Sequence, residues 1–160
     1  MTRPLYIFDL DGTLADISHR LHCIQQPKKD GDSFFAAGAD EAPIEAGIRT
    51  LQALRDGGAE VWIWSGRSDQ VRGETERWLR MHEVRPGHLP RWFRLRAPEA
   101  LLMRKAGDHQ PDHTLKLGWL AGLDPPERNR LTAVFEDRAR VVEMYRQYGV
   151  ACFQVAEGNF

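Results

Sequence analysis

Five short apolar runs, separated by segments with apolar residues at helical spacing, constrain the fold of this chain more than any other feature. The runs are "LYIF" at residues 5–8, "EVWIWS" at 60–65, "ALLMR" at 100–104, "LTAVF" at 131–135 and "VACFQVA" at 150–156. The first is apolar on both sides of an extended chain, as a strand covered on both faces requires. Between the runs, "IEAGIRTLQALRD" places Ile44, Ile48, Leu51 and Leu54 on one helical stripe that Gly57-Gly58 ends. "DQVRGETERWLRMH" offers Val71, Trp78 and Leu79 for a buried face, residues 113–121 form a further helix, and "ARVVEMYRQYG" one that stops at Gly149. Strands alternating with helices predict an α/β fold: a parallel five-stranded sheet with helices on both faces. Trp62 and Trp64 share one face of a central strand and read as core. Residues 18–43, broken by Pro27, Lys28, Lys29, Gly31 and Gly38, read as a small insertion with two short helical pieces.

A chain of 160 residues fits a single domain, 1–160, with a substantial core. "MTRPLYIF" has no signal-peptide character and no apolar run reaches membrane-spanning length, so a cytoplasmic protein without membrane contact is expected. Cys23 and Cys152 lie far apart without metal-type spacing, consistent with a reducing compartment. The formal charge of −1 excludes a global basic footprint, so contact with nucleic acid must come from a local patch. "RPGHLPRWFRLR" at 85–96 gathers Arg85, Arg91, Arg94 and Arg96 around Trp92 and Phe93. That mixture suits single-stranded nucleic acid, and equally a solvated loop anchored by two inward aromatics.

The chemistry concentrates at the ends of the apolar runs. "YIFDLDGTLAD" puts Asp9 and Asp11 two positions apart at the carboxyl end of the first strand, where open α/β sheets bind ligands. Alternation along a strand sends both side chains into one small volume. Their repulsion needs an offset: a divalent cation, a neighbouring cation, or a proton on one of them. An Asp11-Gly12 hairpin turn is the alternative, but no second strand follows. Gly12 lets backbone approach a ligand, and Thr13 adds a hydroxyl. The second strand runs into Ser65-Gly66-Arg67 and the fourth into Glu136-Asp137-Arg138, so a parallel sheet brings all three segments to one edge.

"DLDGT" at 9–13, "SGR" at 65–67, Lys116 opening a helix and "ED" at 136–137, in that order, resemble the haloacid dehalogenase-like (HAD) superfamily of phosphohydrolases. The resemblance implies a Rossmann-like sheet, a Mg²⁺ ion and an aspartyl-phosphate intermediate. Asp9, with an unperturbed pKa of about 3.9, is ionised and can attack phosphorus without an activating base. Mg²⁺ held by the Asp9 carboxylate, the Asp11 backbone carbonyl, Asp137 and Glu136 would screen the repulsion by phosphate. Asp11 can protonate the leaving alkoxide and later take a proton from water. Ser65 and Lys116 would hold phosphoryl oxygens. Superfamily dehalogenases lack an acid at this position, so Asp11 favours phosphate esters.

Within that superfamily the chain resembles the phosphatase domain of phage polynucleotide kinase-phosphatases, which remove 3′-phosphates from nucleic acid ends. "EDRARVVEMYRQYGVACFQVAEGNF" looks like that domain's end over its whole length. "DGTLADISHR" places Arg20 at a substrate-binding arginine, "SGR" places Arg67 at another, and "DHTLK" places Asp112 and Lys116 at a functional Asp and Lys. Thr13, Gly66 and Arg138 complete the substrate-binding set so implied. The similar segments cover about half the chain; Glu-Asp replaces the family's paired Asp, and 82–98 is not clearly similar. No G-x-x-x-x-G-K-[ST] motif is present, so kinase activity is not expected, although a separate kinase or ligase could work alongside.

Blander readings stand beside these. Asp112 and Asp137 could cap the helices they precede. His19 and His22 are spaced like helix metal ligands but lack a third partner. An insertion of about twenty-five residues is too short for a large lid, which leaves an open site suited to a polymer end or a nucleotide. The functional expectation is a Mg²⁺-dependent phosphatase for 3′-phosphate ends of DNA or RNA. A small-molecule nucleotide phosphatase is the alternative, and a non-catalytic nucleic-acid or partner-binding module the third reading.

Overall fold

The first strand, β1 (Leu5–Phe8), lies at the centre of the sheet, where its unbroken apolar run is covered on both faces. The computed structural model describes residues 2–20, 41–84 and 100–158. Along the chain β1 is followed by α1 (Glu45–Asp56), β2 (Glu60–Ser68), α2 (Arg72–Met81), β3 (Leu101–Arg104) and α3 (Asp112–Ala121). Then come α4 (Pro125–Arg130), β4 (Leu131–Arg138), α5 (Ala139–Gln147) and β5 (Cys152–Gly158). The five strands form one sheet in the order β3-β2-β1-β4-β5, every pairing parallel, as the alternation of strands and helices predicts. Phe8 is level with Ile63 on one side and Phe135 on the other, so all three central strands approach the same edge together.

Two apolar layers sandwich the sheet. Leu5, Ile7, Trp62, Trp64, Val134 and Cys152 pack under α3 and α5 through Leu120, Val141, Val142, Met144 and Tyr145. On the opposite face Phe8, Val61, Ile63, Leu101 and Met103 meet Ile48 and Leu51 of α1 and Trp78 and Leu79 of α2. Trp62 and Trp64 are core, as expected. Of the stripe on α1, Ile48 and Leu51 are buried, whereas Ile44 and Leu54 lie at its half-buried margin.

The structure departs from the sequence expectation in three places. β2 and β4 extend to Ser68 and Arg138, so the polar triplets lie within strand ends and not after them. The pairing register shifts between Ser65 and Ser68 and between Glu136 and Arg138, and such irregularity re-aims side chains at a sheet edge. The short α4 was not expected. Its start is marked by Asp124, whose side chain accepts from Glu127 N while Glu127 reaches back to Asp124 N, with Pro125 at the first helical position. Most of the 18–43 insertion, including His22 and Cys23, and the 85–96 stretch lie outside the described residues. No helix among the described residues is long and apolar enough to cross a membrane.

Candidate active site

Asp9, Glu136 and Asp137 reach the site from the ends of two paired central strands. β1 ends at Phe8, one residue before Asp9, and the Phe8 ring stacks on Phe135 with centroids 4.3 Å apart. Asp9 N also donates to Phe135 O at 2.9 Å. Asp9 and the Glu136-Asp137 pair are thereby set side by side from chain positions more than a hundred apart. Their ligand-capable oxygens lie within 4.8 Å of one another, and all three residues are buried.

Lys116, on the first turns of α3, points into this group. Its Nζ donates to Asp9 Oδ1 at 2.5 Å and to Glu136 Oε2 at 2.7 Å. Three buried carboxylates against one ammonium leave an excess of negative charge. Burial, then the Glu136 carboxylate, pushes Asp9 up to about 8. Burial also raises Glu136 to about 7, against the pull of Lys116. Asp137 rises to about 7 through burial and the Asp9 charge. Lys116 itself is held well above the usual lysine range, because Asp9 and Glu136 overcome its burial.

The donor set fits a divalent metal ion. Asp137 Oδ1 is buried without a hydrogen-bond partner, an orphaned acceptor that a cation would satisfy. All the donors are oxygen, the preference of Mg²⁺. Gly12, at φ +81°, lies against the same carboxylate: a Cβ there would sit 2.2 Å from Asp137 Oδ2. Only glycine meets both demands.

Asp11 does not join that group. Because β1 has ended, strand alternation does not place the two aspartates together, and each finds its own cation. Asp11 faces Arg67, whose Nε donates to Oδ1 at 2.9 Å and to Oδ2 at 3.2 Å. The same guanidinium is paired with Glu41. Arg67 is buried, and Asp11 and Glu41 outweigh that burial to raise its pKa further. Asp11 remains close enough to Asp9 to add to its upward shift.

A third ionic group lies beneath the "SGR" segment. Asp112 pairs with both Arg104 and Arg138. Arg104 also donates through Nε to Gly66 O at 2.9 Å and through Nη1 to Gln110 O at 2.7 Å. A Cβ on Gly66 would meet the Asp112 oxygens at 2.9 Å, so the absent side chain lets the two segments close up. Burial would raise Asp112, but Arg138, Lys116 and Arg104 hold it below the usual carboxylate range. Neither Asp112 nor Asp137 is a helix cap: Pro111 and Arg138 occupy the N-cap positions, with no capping side-chain bond.

Of the other expected site residues, Ser65 is fully buried and its Oγ accepts from Arg67 N at 3.2 Å. Thr13 is buried with its hydroxyl unpartnered. The backbone of Arg20 lies in a short 3₁₀ turn, Ser18–Arg20. Two residues escaped the sequence reading. Arg104 ends an apolar run with no motif around it, and Glu41 closes a polar insertion without periodicity.

Solved structures share this fold. The chain aligns over 100% of its length with one chain in each of two structures of the Pnkp1/Rnl/Hen1 complex, one of them described as an RNA repair complex. Identity is 24% in both, with TM-scores of 0.76 and 0.75. It spans less than half of those chains, 45% and 48% of their length. A class C acid phosphatase from Bacillus anthracis, solved with tungstate bound, matches over 100% of this chain and 69% of its own, at 13% identity and a TM-score of 0.61. Sheet order and fold match the Rossmann-like class expected from "DLDGT". The family model of the polynucleotide kinase PNKP phosphatase domain matches residues 3–160, and the chain belongs to that family.

Proposed function

We propose that this protein is a Mg²⁺-dependent phosphatase that removes 3′-phosphates from DNA or RNA ends through an aspartyl-phosphate on Asp9. The observation that carries the reading is the buried group of Asp9, Glu136 and Asp137 with Lys116 between Asp9 and Glu136, in a chain of the PNKP phosphatase family. The Asp9, Asp137 and Glu136 carboxylates, with the Asp11 backbone carbonyl, would hold the metal ion. Bound there, Mg²⁺ supplies positive charge against the phosphoryl oxygens.

The chain's own residues perform the rest. Lys116 fixes the Asp9 carboxylate and balances part of the site's negative charge. A carboxylate oxygen of Asp9 attacks phosphorus, and the bond from phosphorus to the sugar 3′-oxygen breaks. Asp11 gives its proton to that departing oxygen, which leaves as a 3′-hydroxyl. Water then attacks phosphorus, its proton passes to Asp11, and Asp9 is regenerated as inorganic phosphate departs. Ser65, Thr13, Arg20 and Arg138 would form the phosphate-binding side, with Asp112 orienting Arg138, while Arg67, engaged by Asp11 and Glu41, holds the acid. A kinase or ligase acting on the resulting hydroxyl end is the partner this chemistry calls for.

The test is Mg²⁺-dependent phosphate release from a 3′-phosphorylated oligonucleotide, beside its 5′-phosphorylated counterpart and a 3′-mononucleotide. The proposal predicts strong preference for the 3′-phosphorylated oligonucleotide, with affinity falling as salt rises. Equal or faster release from the mononucleotide, indifferent to salt, would establish a small-molecule nucleotide phosphatase instead.

A further inference from the structure

We infer that Glu41 is a positioning residue for the acid–base step: it clamps the guanidinium of Arg67, which in turn fixes the carboxyl of Asp11. The inference rests on the assignment of Asp11 as general acid made above. Glu41 is 2% exposed, and its side chain is shut off from solvent altogether. A buried carboxylate is costly unless cations and hydrogen bonds satisfy it, and Arg67 pairs with this one. The Glu41 backbone is pinned as firmly. Its carbonyl accepts from Trp78 Nε1 at 2.8 Å, which ties it to α2. Next to it, Ala42 O accepts from Asp16 N at 2.9 Å, and Ile44 N donates to Leu14 O at 2.7 Å. The carboxylate is thus fixed both to the helical layer and to the loop that carries Asp11.

One rigid guanidinium spans both carboxylates, with Nη2 shared between them and Nε on Asp11. The fork is planar, so the Asp11 carboxyl cannot rotate without moving Arg67, and Arg67 cannot move without breaking its buried pair with Glu41. The Asp11 side chain is 16% exposed, on the open side of the site, whereas that of Glu41 is wholly enclosed. Glu41 therefore acts through Arg67 and does not touch substrate.

The test compares two leaving groups in the intact, Mg²⁺-loaded protein. A nucleotide 3′-oxygen leaves as an alkoxide and needs a proton, whereas 4-nitrophenolate leaves without one. The reading is kcat/KM, which reports the steps up to departure of that group. Asp11→Asn sets the scale, with a loss on the order of 10²-fold or more for a 3′-phosphorylated oligonucleotide and a much smaller loss for 4-nitrophenyl phosphate. Glu41→Gln is expected to repeat this pattern with a loss of about 10²-fold on the oligonucleotide alone, the scale for a misplaced catalytic group. Glu41→Asp, which keeps the charge but shortens the reach, is measured alongside so that a folded variant is in hand, and melting temperatures accompany all three. If Asp11→Asn discriminates the two substrates but folded Glu41 variants lower both equally, or neither, the positioning role is overturned and the function stands. If Asp11→Asn itself lowers both equally, the acid assignment falls and this inference with it.

Discussion

Metal binding to this site should release protons, because the free carboxylates are forced to share them. Asp9 rises to about 8 and Glu136 and Asp137 to about 7, all led by burial, while Lys116 offers a single compensating charge. In metal-free protein at pH 7 the group therefore stays partly protonated, more so toward about pH 5.5 and less toward about pH 9. A divalent cation needs the carboxylates ionised, so Mg²⁺ should displace on the order of one to two protons at pH 7 and bind more tightly as pH rises. Calorimetric titration with Mg²⁺ in two buffers of different ionisation enthalpy counts those protons directly. The same raised pKa values set the sign for stability. A carboxyl whose folded pKa lies above its unfolded value contributes stability that is full below about pH 4 and lost as pH rises through about 7–8. Metal-free protein should accordingly melt at a lower temperature at pH 8 than at pH 5.5. The loss is on the order of several kcal/mol against a typical total of roughly 5–15 kcal/mol. Asp112 and Glu60, whose pKa values are lowered, act in the opposite sense, but their contribution is lost only as pH falls below about 4. Mg²⁺ should restore most of the loss at pH 8. A binding enthalpy identical in both buffers at pH 7, with Mg²⁺ affinity flat between pH 6 and 9, would refute the crowded-carboxylate description.

Asp9→Asn should lower kcat by on the order of 10⁴-fold or more while leaving a cooperative melting transition, checked by phosphate release and calorimetry. Gly12→Ala forces a Cβ to within 2.2 Å of Asp137 Oδ2 at a positive φ. It should destabilise the protein by about 1 kcal/mol or more and weaken Mg²⁺ binding by about tenfold, measured by denaturation and titration. Arg104→Ala removes one of the two arginines paired with Asp112 and the donor to Gly66 O, and denaturant melts should show a loss of about 2–3 kcal/mol.

The parts of the fold that were legible in the sequence are those with a period. The apolar runs of β1, β2 and β4 and the stripes of α1 and α5 follow from side-chain patterning and helical spacing, and they imply a parallel sheet while leaving its strand order open. α4 was missed, although Asp124-Pro-Pro-Glu127 carries a capping-box pattern with proline at the helix start that could have marked it. The ends of β2 and β4 were not legible, because broken register replaces alternation just where the polar residues begin. At the site, the convergence of Asp9, Glu136 and Asp137 follows from strand ends sharing one edge, and Lys116, on a helix, is reached through the family resemblance, but the division of charge between Asp9 and Asp11 follows from neither. It depends on Lys116 and Arg67 arriving from different elements and each claiming one aspartate. Glu41 and Arg104 have roles set wholly by tertiary partners, and no local pattern announces such roles.

The most direct test of the account is to look for the phosphoryl group on Asp9. The protein is mixed with Mg²⁺ and an oligonucleotide labelled in its 3′-phosphate, quenched in acid within a single turnover, digested and read by mass spectrometry. The account predicts label on the peptide carrying Asp9, absent from Asp9→Asn and from reactions without Mg²⁺. Full turnover with no labelled peptide, or with label on a different residue, would contradict it.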